Sequence, residues 1–173
     1  TAAFLRRLQP EKARVAIFLD NSVDGAVVDL ACMAYGIYNA PLNVHFSEAI
    51  LAHIFKITDT NIVITDTVRR LEKAIAAARK IDQKITFIVT SGETALNENA
   101  DYYFSKAVKK SSLAKDRDFL SRLTKRPVDK VATTMFTSGS TGMPKGVSFS
   151  EYNIVSKRYA RAAALPAVGK REV

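Results

Sequence analysis

The sequence predicts an α/β fold, a mainly parallel sheet flanked by helices on both faces, and three features carry that expectation. The runs RVAIFL (14–19), NIVIT (61–65) and ITFIV (85–89) are short, β-branched and apolar throughout, as strands covered on both faces are. Between and after them, apolar residues recur at helical spacing. Each helical stretch follows a hydroxyl residue suited to an N-cap: Ser22, Ser47 and Thr67. Repeated strand-helix-strand units imply right-handed crossovers and a sheet buried between helical layers.

Taken in order, RVAIFL is the first strand. Val23, Ala26, Val27, Leu30, Ala31 and Ala34 then fall on one side of a helix that starts after Ser22 and stops at Gly36; this side is expected to face the sheet. IYNAPLN reads as a short strand ending at Pro41. Ser47 opens a helix carrying Ile50, Leu51 and Ile54, and Thr67 opens one carrying Val68, Leu71, Ile75 and Ala78. From about 91 to 130 the strand pattern stops. Tyr103, Phe104 and Ala107, then Phe119, Leu120 and Leu123, suggest two short amphipathic helices, an excursion expected to cover the sheet.

Composition narrows the function classes. A chain of 173 residues, 47% hydrophobic, can bury the core of one domain. No apolar run approaches the roughly 18 residues of a membrane span, and the N-terminus lacks a secretory pattern; a cytoplasmic location is expected, with peripheral membrane association as the alternative. One cysteine, Cys32, and two histidines make neither a disulfide nor a metal cluster, so Cys32 is expected to be a small buried hydrophobe. The net charge of +9 is uneven: residues 1–100 hold 11 basic and 11 acidic side chains, whereas 101–130 hold 9 and 4. No nucleic-acid reading motif accompanies this excess, and nucleic acid is not expected as a partner.

The stretch 133–149, TTMFTSGSTGMPKGVSF, carries the chemistry. Val147 and Phe149 alternate with Ser148 and Ser150, so it reads as strand, loop and strand, with a helix only from about Glu151. The Walker phosphate loop needs Gly-Lys-Ser/Thr leading directly into a helix; here Pro144 stands five after Gly139, and Lys145 is followed by Gly146. Phosphates would instead be held by backbone N–H groups in a glycine-permitted nest, by the hydroxyls of Thr137, Ser138, Ser140 and Thr141, and by Lys145.

TSGSTGMPKGV, with a strand before it and a helix after it, resembles the phosphate-binding signature of the adenylate-forming (AMP-binding) superfamily of acyl- and aryl-CoA synthetases, peptide-synthetase adenylation domains and luciferases. The region from RVAIFLDNS to NIVITD is similar to that superfamily's N-terminal region, and the APLNVHF run is most like long-chain fatty acyl-CoA synthetases. The resemblance implies that the chain is part of the large N-terminal domain of such an enzyme. It implies a ligase in which a carboxylate, expected to be a fatty acid, attacks ATP to give an acyl-adenylate and pyrophosphate, after which CoA displaces AMP. By position, Thr137, Ser138, Gly139, Ser140, Thr141, Gly142 and Lys145, within a hairpin loop at 137–146, inherit the contacts to ATP phosphates. Thr137 inherits an approach to Mg²⁺. No catalytic residue can be assigned, because the superfamily's adenine, acyl and catalytic-lysine regions have no counterpart here. Residues 1–173 are therefore read as one partial domain without the C-terminal domain, expected to be inactive alone and open to self-association through uncovered surface. Ser150-Glu151 departs from the superfamily's frequent Ser-His or Thr-His and leaves the role of Glu151 open. The alternatives are another adenylate-forming ligase, a phosphate-loop NTPase, which a strand after Lys145 would dispose of, or a non-enzymatic basic binding module.

Overall fold

A computed structural model describes residues 1–10, 12–90, 99–109, 127–137 and 142–164. The elements are α1 (Ala2–Leu8), β1 (Arg14–Phe18), α2 (Val23–Ala34), β2 (Tyr38–Pro41), α3 (Glu48–Thr58), β3 (Ile62–Thr65), α4 (Val68–Arg79), β4 (Thr86–Val89), β5 (Tyr102–Tyr103), α5 (Phe104–Lys109), β6 (Val131–Thr137), β7 (Lys145–Ser150) and α6 (Glu151–Ala164). The strands form one sheet in the order β5-β4-β3-β1-β2-β6-β7. All neighbours are parallel except β6 and β7.

Local chemistry explains the boundaries. Ser22, Ser47 and Thr67 each accept a hydrogen bond from a backbone N–H in the first turn of α2, α3 and α4, satisfying donors that a helix start leaves over. Helix α2 stops where Gly36 takes φ 62° and the Ile37 N–H reaches back to the Cys32 carbonyl at 2.9 Å, a Schellman closure.

Alternation along the strands divides the core in two. On one face Ala16, Phe18, Val63, Phe87 and Val89 pack against Leu51, Ile54 and Phe55 of α3 and Leu71, Ala74 and Ala77 of α4. On the other, Val15, Ile17, Ile62, Ile64 and Ile88 meet Phe4 and Leu5 of α1, Val28 and Cys32 of α2, and Phe104 of α5. The expected sheet with helices on both faces is the observed one. Cys32 is fully buried, and loss of water pushes its thiol up to about 12.

Two expectations need correction. The side of α2 expected to face the sheet points outward: Val23 is 80% exposed, Leu30 59% and Val27 41%, while Gly25, Val28 and Cys32 are buried. A Cβ on Gly25 would lie 2.6 Å from Leu19 Cδ1. The stretch read as strandless also contains β5, which extends the sheet by pairing Tyr102 with Ile88 and Tyr103 with Val89. Asp101 sets that register, its carboxylate accepting the Phe87 N–H at 2.7 Å while its own N–H donates to the Phe87 carbonyl at 3.0 Å. Phe104 then covers the edge from one side, and Phe4 stacks edge-on against Tyr102 at 5.3 Å. The second helix expected around Phe119, Leu120 and Leu123 lies outside the described residues.

Candidate functional site

The glycine-rich loop is the turn of the β6–β7 hairpin. Strand β6 runs parallel to β2 through the pair Asn39 and Thr133, so its end at Thr137 lies along the same edge as the carboxyl ends of β1 to β4. Ligand crevices of open α/β sheets form at that edge. A cleft of about 330 Å³ opens there between β1 and β2, lined by Asp20, Asn21, Ser22, Asp29 and Pro41. The chain leaves β1 for α2 on one face and β2 for α3 on the other. Next to it Arg70 donates to both carboxylate oxygens of Asp66 at 2.6 Å and to Asp20 at 2.5 Å, fixing the β1 and β3 exits to each other.

Below the loop the two strands of the hairpin are paired. Register pairs run from Thr133 with Phe149 to Thr137 with Lys145, and the Thr134 and Ser148 hydroxyls meet at 2.9 Å. Gly146 sits opposite Phe136, where a Cβ would come within 3.0 Å of both Phe136 Cε1 and Thr134 Cγ2. Pro144 is buried. At the mouth, the Thr137 hydroxyl donates to the Lys145 carbonyl at 3.4 Å, and the side chains of Thr137 and Lys145 are exposed. Gly142 has φ 84°, and among the described residues no group lies within 4 Å of its Cβ position; this conformation suits glycine.

Of the sequence-derived site residues, Thr137, Gly142 and Lys145 are therefore brought to one hairpin mouth. Ser138, Gly139, Ser140 and Thr141 lie outside the described residues. Lys145 opens a strand rather than a helix, which excludes the Walker arrangement. Ser150 caps α6 reciprocally: its N–H donates to Asn153 Oδ1 at 2.9 Å and its hydroxyl accepts the Asn153 N–H at 3.2 Å. Glu151 is thus the first helical residue. Sequence reasoning read Gly146 only as a break in the Walker pattern; its close approach to Phe136 follows from a cross-strand register that the sequence does not display.

A family model described as AMP-binding enzyme matches residues 1–171. The chain belongs to the AMP-binding enzyme family. Among relatives, the long chain acyl-CoA synthetase 8 of Arabidopsis thaliana is 27% identical over 92% of this chain and 22% of its own length. The human long-chain-fatty-acid–CoA ligase 6 is 26% identical over 82% and 21%. The acetyl-coenzyme A synthetase of Cronobacter sakazakii is 28% identical over 77% and 22%. This AMP-binding chain thus spans about a fifth of the length of the relatives it matches. In fold it resembles a benzoate CoA ligase from Burkholderia xenovorans (TM-score 0.71, 16% identity, 95% of this chain and 29% of that one). It also resembles ATP-bound MatB from Rhodopseudomonas palustris (TM-score 0.67, 22% identity, 94% and 30%). The sheet of the AMP-binding chain is accordingly that of adenylate-forming enzymes.

Proposed function

We propose that this chain is the N-terminal part of an ATP-dependent acyl-CoA ligase acting on a fatty acid, and that its hairpin loop holds the β- and γ-phosphates of ATP during adenylate formation. The observation that supports this reading is the loop mouth. A positive-φ glycine and an exposed lysine and threonine stand together at the mouth of a paired hairpin. Backbone N–H groups free of side-chain crowding suit phosphate oxygens, and Lys145 supplies a compact cation for the pyrophosphate that departs. Thr137 carries a neutral hydroxyl at that mouth and is the residue that would approach Mg²⁺. The ion, when bound, neutralises charge on the phosphates to which it is chiefly tied. Relatives named for long-chain acids, at 26–27% identity, support a fatty acid, while acetyl-coenzyme A synthetases match at 28–29%.

On this reading one wall of an active site is present and the chain alone turns nothing over, since correct orientation of carboxylate, α-phosphate and metal accounts for roughly 7 to 11 kcal/mol of such a barrier. Incubating the chain with Mg-ATP, CoA and a panel of fatty and aromatic acids should release no AMP above a heat-treated control. In a full-length ligase carrying these residues, Lys145→Ala should slow pyrophosphate exchange roughly a hundredfold, the order seen when one charge-stabilising group is removed, with little change in stability. Exchange at the parental rate would remove Lys145 from the mechanism.

A further inference from the structure

A polar cluster that takes no part in the glycine-rich loop stands inside the apolar core, on the α2 face of the sheet. Asn39 of β2 is fully buried and Thr133 of β6 is 2% exposed. They are the register partners through which β6 joins β2, so their side chains leave the sheet on the same face. That face is the one α2 covers. Tyr38 and Ala40, on either side of Asn39, belong to the α3/α4 core, whereas Asn39 itself meets Asp29 of α2. On its other flank Asn39 pairs in register with Val15, which is apolar.

The hydrogen bonds of this cluster are incomplete. Asn39 Nδ2 donates to Asp29 Oδ1 at 2.6 Å. A carboxylate only accepts, so this contact settles which end of the amide is the nitrogen. Asn39 Oδ1 and Thr133 Oγ1 are then each buried with no hydrogen-bond partner among the described residues. Burying a polar atom without a partner is costly, and folded proteins satisfy nearly all such atoms, with protein groups or with ordered water. Here the two orphaned atoms belong to neighbouring side chains. Adjacent strands lie about 4.8 Å apart, a gap that one water spans with two bonds of about 2.8 Å each. A hydroxyl that both donates and accepts, beside an amide oxygen that only accepts, complements such a molecule. Both oxygens are neutral, and the carboxylate beside them already has the Asn39 amide as a donor, which favours water over a cation.

We propose that one buried water bridges Asn39 Oδ1 and Thr133 Oγ1 and is part of the joint between β2 and β6. It completes a chain of hydrogen bonds from Asp29 through Asn39 to Thr133, tying α2, β2 and β6 together. One end of that chain is the cleft between β1 and β2, which Asp29 lines. The other is the single register pair that attaches the loop-bearing hairpin to the sheet. Waters that make two to four bonds to otherwise unsatisfied buried groups are integral to a fold.

The test is ¹⁷O magnetic relaxation dispersion, which counts long-lived internal waters, on the chain and on its Thr133→Val and Thr133→Ser variants. Valine keeps the branched shape and strand preference of threonine without the hydroxyl, so Thr133→Val should retain the parental far-UV circular dichroism. Its dispersion amplitude should fall by the equivalent of about one water, and its urea midpoint should fall with it. Thr133→Ser keeps the hydroxyl and should keep the parental amplitude. An unchanged amplitude in Thr133→Val would overturn the proposal, as would a raised urea midpoint, which would mark the hydroxyl as a group buried without a partner. Equal loss of amplitude in Thr133→Ser would overturn it too, since the water would then depend on the methyl group. In the unsubstituted chain the Asn39 side-chain amide should cross-relax with water, and absence of that signal would refute the bridge without recourse to any variant.

Discussion

Gly146 offers a sharp test of the hairpin packing beneath the loop. A methyl group there would stand 3.0 Å from Phe136 Cε1 and 3.0 Å from Thr134 Cγ2, whereas comfortable carbon contacts lie at about 3.5 to 4.0 Å. Neither neighbour yields easily. Phe136 packs against the α3/α4 side of the core, and Thr134 is tied to Ser148 through its hydroxyl. Overpacking of this kind costs roughly 1 to 3 kcal/mol, and replacing glycine by alanine returns about 0.4 to 1 kcal/mol through the unfolded chain. Gly146→Ala should therefore destabilise by about 1 to 2 kcal/mol, measured by urea unfolding followed in far-UV circular dichroism. Repeating the substitution in a Phe136→Leu background should recover roughly 1 kcal/mol of that loss as a coupling energy. Gly142→Ala serves as the contrast, since φ is 84° but no described residue lies near its Cβ position. Its cost, about 1 to 2 kcal/mol, is purely conformational and should show no coupling to Phe136. If Gly146→Ala proved as stable as the parent, or equally destabilising with and without the phenyl ring, the packing account would be wrong.

Two further outcomes follow from burial. Cys32 is sealed under α2 with its thiol pushed up to about 12 from an ordinary 9.0; folded protein keeps the proton that unfolded chain gives up, so this contribution is intact below about pH 9 and is lost as pH rises toward 12. Urea midpoints should accordingly fall over that range and fall less in Cys32→Ala, and a thiol reagent at pH 8 should label Cys32 only as fast as the chain unfolds. Leu30 is 59% exposed, so Leu30→Glu should change unfolding free energy by no more than about 0.5 kcal/mol and should reduce any self-association seen by sedimentation; unfolding by several kcal/mol would mean that the stripe is covered after all.

The parts of the fold legible in the sequence were those with a local cause. Strands β1, β3 and β4 are marked by β-branched runs that need no partner to be recognised, and the starts of α2, α3 and α4 by hydroxyls that bond within one turn. The strand after Lys145 was legible from alternation, which is also local. What failed depended on distant neighbours. Periodicity showed that α2 has a broad apolar side, yet this helix is apolar nearly all round, and the residues that meet the sheet are Gly25, Val28 and Cys32. Tyr102 and Tyr103 are strand-prone, but two residues carry no period, and only Asp101 bonding to Phe87 makes them a strand. At the site, spacing alone distinguished the loop from a Walker motif, while the reason for Gly146 lay across the hairpin.

The way β6 joins the sheet also bears on the order in which the chain folds. Strands β1 to β4 are linked by consecutive crossovers, whereas β6 reaches β2 only after α3, β3, α4, β4, β5 and α5 have intervened, and a single register pair, Asn39 with Thr133, marks the junction. Pairings between remote segments lag those between near ones, because the entropy of closing the long loop is lost before the contact is gained. The β6–β7 hairpin, by contrast, closes through a short turn and can form by itself in microseconds. Assembly is thus expected in two pieces: a nucleus around β1 and β3, and a ready-made hairpin that docks along β2. Pulsed hydrogen exchange should protect the amides of Ala16 and Val63 before that of Thr133, and simultaneous protection would refute this order. The hairpin that carries the glycine-rich loop is then among the last parts of the described chain to take its place.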